Sequence, residues 1–169
     1  AVEARLRRLK WYQMVAGEPS ENVQVLAAWL DYNGHMNVAS YLKAFDVATD
    51  HVFAQLGIGP EYVEEAKSSL FAVEQHLVYD RELREGDKVA VRASMLEVTD
   101  KKLHIIMTMH NLDGAYQAAS CEHLFIHVDM VTRRAVSWGS DVQTRLRSYV
   151  EPLVDNALKS RINRAIQVL

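Results

Sequence analysis

The sequence predicts an α+β domain in which an antiparallel sheet wraps one long apolar helix. Apolar residues recur at helical spacing through Val38, Tyr41, Leu42, Phe45, Ala48, Val52 and Leu56. Four segments with two-residue alternation then follow one another from about Phe71 to Val128, the pattern of half-buried strands. A buried helix followed by a meander is an α+β order, and the helix is the natural partner for the apolar face of the sheet.

Each element has a local reason. Residues 2–15 are expected to form a short amphipathic helix through Val2, Leu6 and Leu9, broken by Gly17-Glu18-Pro19-Ser20. Asn22 to Leu30 reads as a strand, with Val23, Val25 and Ala27 alternating inward. The central helix starts at Val38 because Asn37 is a good N-cap, with Met36 and Tyr41 spaced as a hydrophobic staple. It stops at Gly57, which readily takes the left-handed conformation that closes a helix. Ala39, Ala44, Val47, Phe53 and Ala54 make it apolar nearly all round, which predicts full burial. Gly59-Pro60 opens a short helix to about Ala66.

In the first of the four strands, Phe71, Val73, Leu77 and Tyr79 are expected inward and Glu74, His76 and Asp80 outward. The second and third are centred on Val91 and Ile105. The fourth, about Ala115 to Val128, is long and mixed, which predicts a bulge. Turns at Glu85-Gly86-Asp87, Thr99-Asp100-Lys101 and Asp113-Gly114 are short enough to join antiparallel neighbours. Ser140 and Gln143 suggest a capping-box start for a helix to about Val150. After Pro152, apolar residues from Leu153 to Leu169 suggest a second amphipathic helix.

The bulk properties exclude several classes. The 169 residues make one domain, numbered 1–169, with a core of about 20–138 and terminal helical extensions. With 49% hydrophobic residues, 24% charged residues and a net charge of −3, the chain has no nucleic-acid footprint. No apolar run approaches the ~20 residues that span a bilayer, so no membrane partner is expected. The first residues lack the apolar segment of a secretory signal, and Glu3 argues against a transit peptide. A cytoplasmic location is the expectation, consistent with a single cysteine, Cys121.

The chemistry concentrates in Asp31-Tyr32-Asn33-Gly34-His35-Met36-Asn37. A carboxylate beside a helix N-terminus can hydrolyse an acyl bond: the free amides stabilise an oxyanion while the carboxylate attacks or activates water. Other candidates are weaker. His123 and His127, four residues apart on a strand, are ~13 Å apart and cannot share an ion; no metal is expected. Cys121 sits mid-strand, where core packing is the commoner fate. Trp11, Tyr12, Trp29, Tyr32 and Trp138 are candidates for an aromatic box around a quaternary ammonium, although core or interface packing suits most of them better.

A strand, then D-x-x-G-H-x-N, then a long buried helix wrapped by an antiparallel sheet resembles the hotdog-fold acyl-CoA thioesterases of the 4-hydroxybenzoyl-CoA thioesterase-like group, over roughly residues 20–138. Tyr41, Tyr79 and Gly86-Asp87 fall where that group's elements place them. The D-x-N-x-H spacing also looks like that of plant acyl-carrier-protein thioesterases. The wording from Trp29 to Asn37, with His127-Val128-Asp129, is similar to thioesterase-like proteins linked to L-carnitine dehydrogenase, for which betainyl-CoA is the proposed substrate.

The resemblance implies Asp31 as nucleophile or general base and the amide near Val38 as the carbonyl-polarising donor. His35 and Asn33 would orient the carboxylate, water or thioester. Asn37, Gly34, Trp29 and Tyr41 would shape the substrate site, and Trp29 stands where many relatives carry a second acid. Some hotdog enzymes take their carboxylate from elsewhere in the fold, so Glu74 is a further candidate. Alternation nevertheless puts Glu74 opposite the Phe71/Val73 face and Gln75 on that face, as a pocket contact from a neighbouring subunit. No cofactor is implied beyond coenzyme A as part of the substrate, and a homodimer or higher homo-oligomer is expected. Two alternatives stay open. One is a hotdog enoyl-CoA hydratase, disfavoured because its usual spacing is D-x-N-P-x-H. The other is a non-catalytic acyl-CoA-binding protein.

Overall fold

The computed structural model describes residues 12–15, 18–19, 24–150, 152, 155–166 and 168. Its centre is helix α1, Val38–Leu56, begun by Asn37, whose side chain accepts from Ala39 N, and ended by Gly57 at φ 67°. Helix α2 is Pro60–Ala66. The strands are β1 (Tyr12–Val15), β2 (Glu18–Pro19), β3 (Ser68–Tyr79), β4 (Val89–Val98), β5 (Lys102–Asn111) and β6 (Tyr116–Asp129), followed by helices α3 (Ser140–Arg147) and α4 (Asn156–Lys159). The sheet is antiparallel, in the order β2-β1-β4-β5-β6-β3.

One face of the sheet packs on α1. Phe45, Ala48, Val52 and Leu56 of the helix are fully buried with Val91, Ile105, Met107 and Cys121. Phe53 meets Phe125 edge-on with ring centroids 5.0 Å apart. Cys121 is core packing, and burial pushes its thiol up to about 12. Three strands each carry one unpaired residue, Val73 in β3, Leu96 in β4 and Ala118 in β6. Such bulges bend a strand and deepen its twist, which lets a sheet of long strands curl around a helix. Among the described residues, no helix is long and apolar enough to cross a membrane.

Several expectations are corrected. Residues 12–15, expected in a helix, form β1; residues 2–11 of that expected helix lie outside the described residues. Within the expected strand Asn22–Leu30, the described residues from Gln24 onward form none: Gln24 makes a single bridge to Lys88, and Ala27–Trp29 is a 3-10 turn with Ala27 exposed. Val25 is buried as expected, because its backbone brackets the Gly86-Asp87 turn (Val25 N to Asp87 O, 2.9 Å; Gly86 N to Val25 O, 2.9 Å). Helix α1 is one-sided in the single chain, with Val38 57% and Leu42 37% exposed. The capping box at Ser140 does not form. Gly139 is the cap residue, and Gln143 instead donates to Thr99 O at 3.0 Å. Helix α3 ends at Arg147, and the expected 153–169 helix is reduced among the described residues to the four of α4.

The largest correction concerns β3. The extra residue Val73 reverses the alternation, since a one-residue shift exchanges faces. Phe71 pairs with Ile126 and Glu74 with Leu124, which puts both on the outer face, while Gln75 pairs with His123 on the helix side. Phe71 and Val73 are exposed, not core.

His123 lies fully buried against Phe45 and stacks on Phe125, with Nδ1 3.1 Å from Gln75 Nε2 and Nε2 unpartnered. Burial lowers its pKa to about 4, against a weaker upward pull from Asp46. Between about pH 6.5 and 4 the unfolded chain binds a proton here that the folded chain refuses. Stability contributed by neutral His123 is therefore present above that window and lost as the pH falls through it, by on the order of 3 kcal/mol at most. In chemical denaturation at stepped pH, His123→Phe, which keeps a ring and removes the titration, is expected to flatten that acid limb.

Candidate active site

The turn from Trp29 to Asn37 is a small antiparallel ladder. Asn37 N donates to Trp29 O (2.8 Å) and Asp31 N to His35 O (3.0 Å), while Leu30 bridges Met36. The tip is closed by Gly34 N donating to Asp31 O at 3.0 Å. Gly34 sits at φ 78°, and a Cβ added there would meet nothing within 4 Å, so its requirement is backbone conformation rather than space.

Asp31 is half-buried, and its Oδ1 accepts from Asn33 N at 2.8 Å. The backbone of Asn33, not its exposed side chain, therefore orients the carboxylate. Among the described residues, nothing pairs with Oδ2. His35 is half-buried with Nδ1 3.3 Å from Met36 O; among the described residues no hydrogen bond joins its ring to the Asp31 carboxylate, and the two residues meet through the backbone alone.

The first turn of α1 leaves one donor over. Asn37 Oδ1 takes Ala39 N (2.8 Å), and Asn37 O takes Ser40 N (2.9 Å) and Tyr41 N (3.3 Å). Among the described residues, no acceptor pairs with Val38 N–H. Its position at the helix N-terminus adds the partial positive charge of the aligned peptide dipoles. Asp31 Oδ2 and the Val38 amide are thus an unpaired acceptor and an unpaired donor on one ladder.

A second segment, which sequence reasoning missed, holds the ladder. Met36 N donates to Leu83 O at 2.7 Å, and Leu83 N donates to the Tyr41 hydroxyl at 3.1 Å. Leu83 is fully buried. Tyr41 is a strut: it is 4% exposed, its phenol is pushed up to about 12 by burial, and its ring meets Tyr79 edge-on at 5.3 Å. Exposed Glu82 is held below the usual carboxylate range by its hydrogen bond from Arg84, with His35 adding a smaller pull. Only the Gly86-Asp87 turn hinted at this segment in the sequence.

The other candidates separate. Trp29 is half-buried, with its carbonyl accepting from Asn37 N and from Ser40 Oγ (3.1 Å). Tyr32 is 98% exposed. Trp138 stacks on His127 at 4.2 Å. His127 pairs with Leu70 and Ala119 with Tyr79, so Trp138 lies most of a long strand away from Tyr79, roughly 25 Å. The side chain of Tyr12, and Trp11 entirely, lie outside the described residues. Glu74 and Gln75 are both exposed on the edge strand. Among the described residues, no group of three or more His, Cys, Asp or Glu could hold a metal.

A helix wrapped by a bulged antiparallel sheet, with this turn at its start, defines the hotdog fold. A Staphylococcus aureus protein solved in complex with CoA superposes with a TM-score of 0.77 at 20% identity, over 95% of this chain and 96% of that one. Residues 25–146 match the thioesterase-like superfamily. The betainyl-CoA thioesterase of Pseudomonas aeruginosa is 36% identical over 128 residues, 75% of this chain and 80% of that protein. The L-carnitine dehydrogenase/betainyl-CoA thioesterase of a Rhizobium species is 32% identical over 130 residues, 77% of this chain and 26% of that longer protein. The chain belongs to the thioesterase-like superfamily and is a thioester hydrolase.

Val38→Pro isolates the amide. Proline is tolerated at the first helical position, and Asn37 at φ −65°, ψ 144° already has the extended conformation that a residue before proline needs. The variant is expected to fold with unchanged circular dichroism and to lose ~100-fold or more in kcat, the cost of one oxyanion donor.

Proposed function

We propose that the chain hydrolyses betainyl-CoA to betaine and CoA at the turn of Asp31. The observation that carries the mechanism is that, among the described residues, Asp31 Oδ2 and the Val38 amide are both left without a partner within one short turn. The Asp31 carboxylate acts on the thioester carbonyl carbon, directly or by deprotonating a water. The carbonyl oxygen gains negative charge and is met by the Val38 N–H at the positive end of α1. Collapse of that intermediate breaks the C–S bond and releases CoA as thiolate. Thiolate leaves readily, so the reaction does not need a strong general acid. Across the two half-reactions one water is consumed; its oxygen ends on the acid and its protons on thiol and solvent.

The names of two relatives 36% and 32% identical to this chain support the betainyl group, and it suits the local charge. A trimethylammonium cannot hydrogen-bond and is held by carboxylates and aromatic faces. Asp31 and Glu82 supply the first, and Tyr32 and Tyr79, both exposed beside this region, the second. The same cation, one carbon from the carbonyl, withdraws electrons and makes the carbon more electrophilic. Asn37 and Gly34 hold the turn in shape, His35 lies close enough to Glu82 to favour its charged form, and Trp29 anchors the base of the ladder through its carbonyl.

A homodimer joined through β3 completes this reading. β3 is a 12-residue edge strand with Phe71 40%, Val73 51% and Tyr79 47% exposed. An uncovered edge of that length and apolarity calls for a partner strand, and a second copy supplies one by antiparallel pairing. Glu74 and Gln75 would then lie at the junction, within reach of the other subunit.

In a thiol-release assay, Asp31→Asn is expected to abolish turnover of betainyl-CoA while the melting temperature holds; retained activity would remove Asp31 from the mechanism. The uncharged isostere 3,3-dimethylbutanoyl-CoA is expected to react at least ~10-fold more slowly in kcat/KM, about one cation–π contact. Equal rates would sink the betainyl assignment alone. By light scattering the chain is expected at twice its monomer mass, with Val73→Lys shifting it toward monomer.

A further inference from the structure

The residues that hold the catalytic turn are themselves tied down from the far end of the chain. Asp80 follows β3 and begins the strap that runs through Leu83. Its backbone and that of Arg81 both donate to Ala118 O (2.8 and 3.1 Å), the bulge residue of β6. Its carboxylate is gripped by Arg161 through both oxygens, Nη1 to Oδ2 at 2.7 Å and Nη2 to Oδ1 at 2.6 Å, with Gln117 Nε2 adding 2.9 Å to Oδ2. Two parallel charge-assisted bonds fix orientation as well as distance, because the planar guanidinium matches the carboxylate fork.

Arg161 is not a loose surface residue. Its segment is anchored by Asn163 N donating to the buried Glu122 Oε1 at 2.8 Å and by Ile166, 1% exposed. It also lies outside residues 25–146, the part that matches the superfamily. From Asp80 the connection continues through Tyr116, whose hydroxyl donates to Glu82 O at 3.0 Å and whose ring carries the Arg81 guanidinium at 4.2 Å. It ends at Leu83, whose carbonyl takes Met36 N between His35 and Asn37.

We propose that Arg161 is a positioning residue for thioester hydrolysis: its clamp on Asp80 sets the 80–83 strap, and the strap sets the Asp31 turn against the start of α1. Arg161 touches no reacting atom. Its removal leaves Asp80 with Gln117 alone, frees the strap to shift, and misaligns Asp31 and Val38 without opening the core. The proposal rests on the assignment of the Asp31 turn as the catalytic site, but it does not depend on which acyl group is cleaved.

The test compares Arg161→Gln, Arg161→Lys and Asp80→Asn with the parent chain. It measures steady-state hydrolysis of betainyl-CoA, amide hydrogen exchange at Met36 and Leu83, and melting temperature. Arg161→Gln and Asp80→Asn are expected to lower kcat by ~10-fold with KM within about twofold, since small misplacement costs rate more than binding. Exchange at Met36 and Leu83 is expected to quicken by a similar factor, well below the melting temperature. Arg161→Lys, charged but unable to form the fork, is expected to fall between. Unchanged kcat, a change in KM alone, or a loss that only tracks the unfolded fraction would overturn the proposal. If the parent does not cleave betainyl-CoA, the substrate reading fails by itself. The clamp is then judged on exchange, where unchanged rates in Arg161→Gln would overturn it.

Discussion

Two backbone hydrogen bonds decide where α1 begins, Asn37 N to Trp29 O and Met36 N to Leu83 O. They hold the chain extended up to Asn37, so that the first helical amide, at Val38, emerges with no acceptor among the described residues. Every helix starts with unpaired donors, and here capping consumes all but one. The cap at Asn37 satisfies Ala39, and the Asn37 carbonyl takes the next two amides. On the mechanism proposed above, local folding chemistry and the need for a free oxyanion donor are met by the same few residues.

The helix and sheet that carry this turn were legible because their signals are local. Asn37, Gly57 and the apolar spacing between them mark the ends of α1 to the residue, and Gly59-Pro60 marks α2. What was not legible depended on contacts distant in sequence. The Val73 bulge answers to curvature around α1, not to any feature of the strand, so simple alternation misassigned Phe71 and Val73. The segment before Trp29 has strand-like residues, yet among the described residues it meets its neighbour at only one bridge, Gln24 with Lys88. Ser140 and Gln143 satisfy the pattern of a capping box, but Thr99 O captures the glutamine instead.

The site divides the same way. Asp31, Gly34 and Asn37 announce themselves, because a turn needs an oxygen to accept, a left-handed glycine and a cap. The partners that hold them do not. Leu83 looks like an ordinary apolar residue between charges, and nothing near Asp80 points to Arg161, 81 positions away. Tyr41 was legible as important but not in its role: its hydroxyl is engaged by Leu83 N, which makes it part of the frame.

The Val73 bulge bears on how this chain tolerates insertion and deletion. Ala72 pairs with Phe125 and Glu74 with the next residue, Leu124, so loss of Val73 alone would close the ladder into regular pairing and leave Phe71 outward and Leu70 inward. What such a deletion removes is the bend, since a bulge curves its strand and deepens its twist. An insertion or deletion elsewhere in β3 would instead turn one end of the strand over. The length of this edge is therefore fixed on either side of Val73 and slack only at it.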